Sequence, residues 1–155
     1  MEFQMGFFDS LKTRMNELRS GLEDGLKKYK NKNTLNAMMA GCAYVAAADG
    51  KITSEEKQKM ANLVRNSSVT SVFDAGEAIK IFNQFAEKFE FDFEVGKNEA
   101  LLAIAKIKSD SGASRLIIRG CIIIGGADGD FDASEKAVVR EICRELGQDP
   151  TEFDL

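Results

Sequence analysis

Histidine and tryptophan are absent from this 155-residue chain, and proline occurs once. Without histidine there can be no Ser-His or Cys-His hydrolase and none of the usual histidine-bearing zinc sites. A metal held here would be held mainly by oxygen, and so would be a hard cation such as calcium, magnesium or manganese. The single proline speaks against a Pro-rich linker. Cysteine is scarce as well. Cys42, Cys121 and Cys143 are odd in number, far apart and free of any C-x-x-C spacing, which argues against a disulfide framework and against a thioredoxin-like redox centre. No apolar run reaches the length of a membrane span, and no charged-then-apolar leader opens the chain, since Phe7 and Phe8 meet Asp9 at once. The expected location is therefore cytoplasmic. A net charge of −4 and a pI near 5.0 leave no extended basic face for a nucleic acid.

What is present suits one globular domain, expected to span residues 1–155, with a real hydrophobic core. The first four residues, "MEFQ", precede a second methionine, Met5, and read as an addition ahead of it. Met5, Gly6 and Ser10 match the M-G-x-x-x-S myristoylation pattern, but the glycine is not at the chain start and the match is discounted. Apolar residues at Phe8, Leu11, Met15, Leu18, Leu22, Leu26 and Tyr29 fall three and four apart, one stripe on a long helix. A basic patch follows in "KKYKNKN", with Lys27, Lys28, Lys30 and Lys32.

Residues from about Thr34 to Ala48 are nearly all small or apolar, the mark of a helix buried on every side. The expected stop is Asp49-Gly50, where glycine can close a helix. A third helix begins after Thr53 with Met60, Leu63 and Val64 facing inward. A fourth is opened by Asp74 with Glu77 as a capping box and presents Ile79, Phe82, Phe85, Ala86 and Phe89. The acid-aromatic stretch "EFDFEVGKNE" interrupts, a fifth helix runs to about Lys108, and Ser109 to Gly112 turn. The sixth helix, Ala113 to Ala127, is again almost wholly apolar, and the seventh runs from Ala133 to Leu146 and closes at Gly147. "DPTEF" makes a last short turn with Asp149 as cap and Pro150 at the first helical position. No segment alternates with period two for long, so the expected fold is all-α, of about seven helices.

The chain also repeats itself. At an offset of 79 residues, Gly41, Cys42, Ala48, Asp49, Gly50, Glu56, Lys57 and Arg65 fall on Gly120, Cys121, Ala127, Asp128, Gly129, Glu135, Lys136 and Arg144. The repeats, 34–66 and 113–146, each hold a buried helix, an Asp-Gly corner, one apolar plug (Ile52 or Phe131) and an amphipathic helix. Two such hairpins are expected to pack together with approximate twofold symmetry, because neither buries its apolar face alone.

The corners admit two readings. In one, Thr53 with Glu56 and Asp132 with Glu135 are capping boxes, and the motif is architecture. In the other, Asp128, Asp130, Asp132 and Glu135 form D-x-D-x-D-x-x-E, alternate carboxylates that can converge on a divalent cation as in a calcium loop. The spacing is not that of an EF-hand. The first copy keeps only Asp49, Glu55 and Glu56, so a site there would be weaker, or shared with Glu90, Asp92 and Glu94 of "EFDFE". No organic cofactor motif is present.

With these residues in view, the chain resembles the TerB family of tellurite-resistance proteins, from "GFFDSL" to "DPTEF". The resemblance rests on "YKNK", "DGKITSEEKQKM", "FEFDFEVGK" and "ADGDFDASEK", in that order. It implies an all-helical cytosolic protein of a bacterial stress operon that confers tolerance of tellurite, some phages and pore-forming colicins. It also implies an interaction and metal-responsive module, not known as an enzyme, working beside the membrane protein TerC and the calcium-binding TerD group. An acidic face and a separate basic face are implied too. Against this non-catalytic reading stands a thiol-dependent, tellurite-reducing enzyme using Cys42, Cys121 or Cys143; no base or resolving cysteine accompanies those thiols. A third reading makes the N-terminal stripe with the basic patch a membrane-surface helix, peripheral to the inner face of the membrane. Its competitor is simple packing of the stripe on the bundle.

Overall fold

The computed structural model describes residues 31–50, 52–66, 73–126 and 131–155, and these form six α-helices, one 3-10 turn and no strand. In chain order they are α1 (Lys32–Ala46), α2 (Ser54–Asn66), α3 (Ala75–Phe91), α4 (Phe93–Ala105), α5 (Ser111–Gly125) and α6 (Ala133–Glu145), with the 3-10 turn at Pro150–Phe153. The expected helix over Phe8 to Tyr29 lies outside the described residues.

α1 is the axis of the molecule. Every residue from Leu35 to Val45 except Asn36 is buried, and α3, α4, α5 and α6 all pack against it. Asn31 starts α1 by accepting the Thr34 N–H at 2.9 Å. Near its middle α1 meets α5 so closely that a Cβ on Gly41 would stand 2.6 Å from Cys121 Sγ. Only glycine permits that approach, and so packing explains Gly41 of the first repeat and Cys121 of the second. Phe82, Ile104, Ile117, Ile118, Ile123 and Ile142 complete the core, each contributing about 1.5–3 kcal/mol by burial.

Helix bounds are where sequence and structure part company. The "EFDFEVGKNE" stretch is not an interruption: α3 continues to Phe91 and α4 begins at Phe93. Asp92 alone joins them, extended at φ −164° and ψ 127°, donating its N–H to Lys88 O and accepting the Glu94 and Val95 N–H groups on its carboxylate. Gly96 lets the joint fold tightly, since a Cβ there would lie 2.5 Å from the Phe89 ring. The Ser109–Gly112 turn is likewise shorter than expected. Asp110 already caps α5 by accepting the Ala113 N–H at 3.0 Å, so the helix opens at Ser111 rather than Ala113.

The two repeats have matching limits. The offset that carries Lys32 to Ser111 also carries Ala46 to Gly125, Ser54 to Ala133 and Asn66 to Glu145.

Candidate functional site at the paired acidic corners

The first corner follows α1 through a turn in which the Gly50 N–H donates to Ala47 O at 2.8 Å. Gly50 holds φ +111°, a conformation that side chains disfavour, and Ile52 is buried as the expected plug. α2 then starts on Thr53, whose Oγ1 accepts the Glu56 N–H at 3.1 Å and donates to Glu56 Oε1 at 3.2 Å. This differs from the expected box: the glutamate is held by the hydroxyl, not by the Thr53 backbone. The second corner does form the full box. Asp132 Oδ1 accepts the Glu135 N–H at 2.8 Å, and Glu135 Oε1 accepts the Asp132 N–H at 3.2 Å. The Ser134 hydroxyl donates to the same Oδ1 at 2.7 Å. These bonds, the Glu135 N–H first and the Ser134 hydroxyl next, hold the Asp132 carboxyl below its usual range.

Small residues bring the corners together. A Cβ on Gly125 would sit 3.1 Å from Val45 Cγ1, so the C-terminal ends of α1 and α5 nearly touch. One cleft of about 190 Å³ results, lined by Asp49, Glu56, Asp132 and Glu135 with Lys59 among them. Val45, Met60, Leu63 and Ile124 form its apolar wall. Four of the six expected ligands therefore share one cavity, across the two repeats. Asp128 and Asp130 lie outside the described residues. Among the described residues no group of three or more acidic or cysteine side chains is placed to hold a metal by itself.

The suggested third contributor stands apart from the cleft. Glu90 pairs with Lys57 of α2, Asp92 is spent on capping, and Glu94 is exposed in the first turn of α4. None of the three lines the cavity. Of the basic patch, Lys27, Lys28 and Lys30 fall outside the described residues, and Lys32 is exposed at the start of α1.

The cysteines lie in the core. Cys42, Cys121 and Cys143 are all buried and free. A hydrogen bond with Cys42 and complete burial push the Cys121 thiol well above its ordinary pKa. Burial, with Cys121 beside it, pushes Cys143 up to about 11.

One cluster escaped sequence reasoning. Tyr44 donates its hydroxyl to Glu141 Oε2 at 2.5 Å, and Lys97 pairs with Glu141 Oε1 at 3.3 Å. The Tyr44 ring stacks on Phe89 at 5.8 Å. Burial first, and then the Glu141 bond, raise the phenol's pKa strongly. The available signal was a tyrosine in an otherwise apolar helix, whose hydroxyl had to find a partner.

An all-helical domain with two acidic corners on one cleft and three buried thiols is the class of protein these features define. A profile of the family described as "Tellurite resistance protein TerB" matches residues 35–155. A curated protein of Alcaligenes sp named "Tellurium resistance protein TerB" is 38% identical over 116 residues, covering 75% of this chain and 95% of the relative. No solved structure matches. The chain belongs to the TerB family, and its role is associated with tellurite resistance.

Proposed function

We propose that the chain is a cytoplasmic, non-catalytic binding module of a tellurite-resistance system, and that its paired corners take a divalent cation. One observation carries this reading: carboxylates from both repeats line a single cleft. Such a cleft gathers negative charge that a cation relieves. The donors are all oxygen, which suits calcium, magnesium or manganese. Asp132 takes its cap bonds on Oδ1, leaving the geometry of Oδ2 to serve a ligand. Asp128 and Asp130 supply the remaining donors, and the two hairpins are related by an approximate twofold axis passing between the corners.

The apolar wall of Met60, Leu63, Val45 and Ile124 favours a second occupant, the aliphatic stem and charged head of a lysine or arginine on a partner. Other tellurite-resistance proteins, a TerC-like membrane protein and TerD-like proteins among them, are the partners this reading proposes, and it allows a position against the inner face of the membrane. Catalysis by thiols is disfavoured, since attack needs an accessible thiolate and burial suppresses it here.

The test is calorimetric titration of metal-free protein with calcium, magnesium and manganese, together with melting curves. A cation bound only by the folded state raises the melting temperature by linkage. Asp130→Asn should abolish that shift while leaving the metal-free melting point in place. If millimolar concentrations of all three ions leave the wild-type curve unmoved, the corners are helix caps and a partner-facing surface.

A further inference from the structure

The acidic cleft lies at the C-terminal ends of α1 and α5, and a second cavity lies at their N-terminal ends. It measures about 350 Å³, with Asn31 to Thr34 on one side and Lys106 and Asp110 on the other. α1 has 15 residues, which puts the two cavities about 22 Å apart. The cleft gathers carboxylates, whereas this end gathers donors.

The backbone supplies the first of them. Asn31 takes the Thr34 N–H on its side chain at 2.9 Å and the Leu35 N–H on its carbonyl at 3.1 Å. The Lys32 and Asn33 N–H groups are left without a carbonyl partner in the first turn of α1, at the positive end of its dipole. Two lysines add full charges. Lys32 and Lys106 both line the cavity, and no carboxylate among the described residues pairs with either. Thr34 is the independent sign of a ligand. It is 1% exposed and lines the cavity, yet among the described residues only its N–H is hydrogen-bonded and its hydroxyl is not. No completely buried side-chain oxygen among those residues lacks a partner, so this hydroxyl keeps its small opening towards the cavity. A nearly buried hydroxyl without a partner is costly unless a ligand supplies one.

We propose that this cavity binds a small oxyanion such as phosphate or tellurite. The Lys32 and Asn33 N–H groups, the two ammonium groups and the Thr34 hydroxyl are its donors. The volume leaves room for several waters beside the ion, at about 30 Å³ each. Asp110 works against the anion. Its carboxylate caps α5 by accepting the Ala113 N–H at 3.0 Å, and the N-terminal end of α5 offsets part of that charge. The 79-residue offset carries Asn31 to Asp110, so one helix has a neutral cap and the other a charged one. Only the α1 end is therefore open to the ligand.

The test is an NMR titration of the full chain with sodium phosphate and with sodium tellurite, against sodium chloride of equal ionic strength. Divalent cations are left out, so the outcome does not depend on the acidic cleft. Either oxyanion should shift the Lys32 and Asn33 amide resonances saturably and leave those of Glu55 and Glu56, in the first turn of α2, in place. Lys32→Ala and Lys106→Ala should each weaken binding about tenfold, and Thr34→Val, which keeps the side chain's shape, about fivefold. Asp110→Asn keeps the cap and should tighten binding, which a merely structural role does not predict. Both lysines and Asp110 are exposed, so the helical circular dichroism of the bundle should persist in those variants. Saturation by both ions supports a general oxyanion site, and saturation by one supports a selective site. The proposal fails if neither ion moves the two amides beyond the effect of chloride, or if both lysine variants bind like the wild type. It fails equally if Asp110→Asn weakens binding.

Discussion

Gly41 and Cys121 show how a single atom sets the core. A methyl group on Gly41 would press on Cys121 Sγ at 2.6 Å, and overpacking of this kind costs about 1–3 kcal/mol. Alanine is the better helix former by about 1 kcal/mol, so the clash outweighs propensity. Gly41→Ala should lower the urea midpoint, and Cys121→Ala in the same chain should restore much of the loss. A double-mutant cycle that proves additive would refute the contact. Cys121→Ala alone should leave tellurite resistance intact in cells. Resistance lost from a well-folded variant would favour thiol chemistry instead. Cys143 gives a pH signature. Its folded pKa is raised to about 11 by burial, against about 8.5 unfolded. Its contribution is full below about pH 8.5 and is lost as pH rises towards 11, because the unfolded thiol ionises first. Urea unfolding at pH 8 and pH 11 should show that decline, and Cys143→Ala should reduce it. Cys121 and Tyr44 are raised in the same sense and add to that slope.

Among elements, the α3–α4 joint is the sharpest case. Asp92 ends one helix and starts the next, so Asp92→Ala should cost about 1 kcal/mol, the usual value of an N-cap, while Asp92→Asn should cost little. Thermal melts of the two variants decide it. Equal losses would mean that the carboxylate's charge, rather than its cap, is what matters. The same joint shows where sequence reading stops. Thr34 to Ala48 was legible as a buried helix because all of its residues but Thr34 and Asn36 are apolar or small and leave no polar face. "EFDFE" was not legible, because alternating acids and aromatics also suit a loop. Its helicity depends on Phe89 and Phe93 stacking near Tyr44, contacts distant in sequence. The acidic corners could be named from their spacing, but their meeting at one cleft required the Gly125–Val45 approach, which no local pattern announces. Glu90, Asp92 and Glu94 were grouped by composition, and the fold separates their duties.

For the whole molecule, the two hairpins with equal limits carry a testable geometry. Crystallography should show residues 36–65 superposing on 115–144 with Asp49 over Asp128. Hairpins with different corner angles would refute the proposed symmetry. No helix among the described residues is long and apolar enough to cross a membrane. The position of α1 has a further bearing on biosynthesis. Its walls are α3, α4, α5 and α6, all of which leave the ribosome after it does. At about 5–20 residues per second, the hundred residues separating α1 from the end of α6 take roughly 5–20 s to appear. Throughout that interval the stickiest segment of the nascent chain has nowhere to hide, and trigger-type chaperones should engage it there rather than anywhere later.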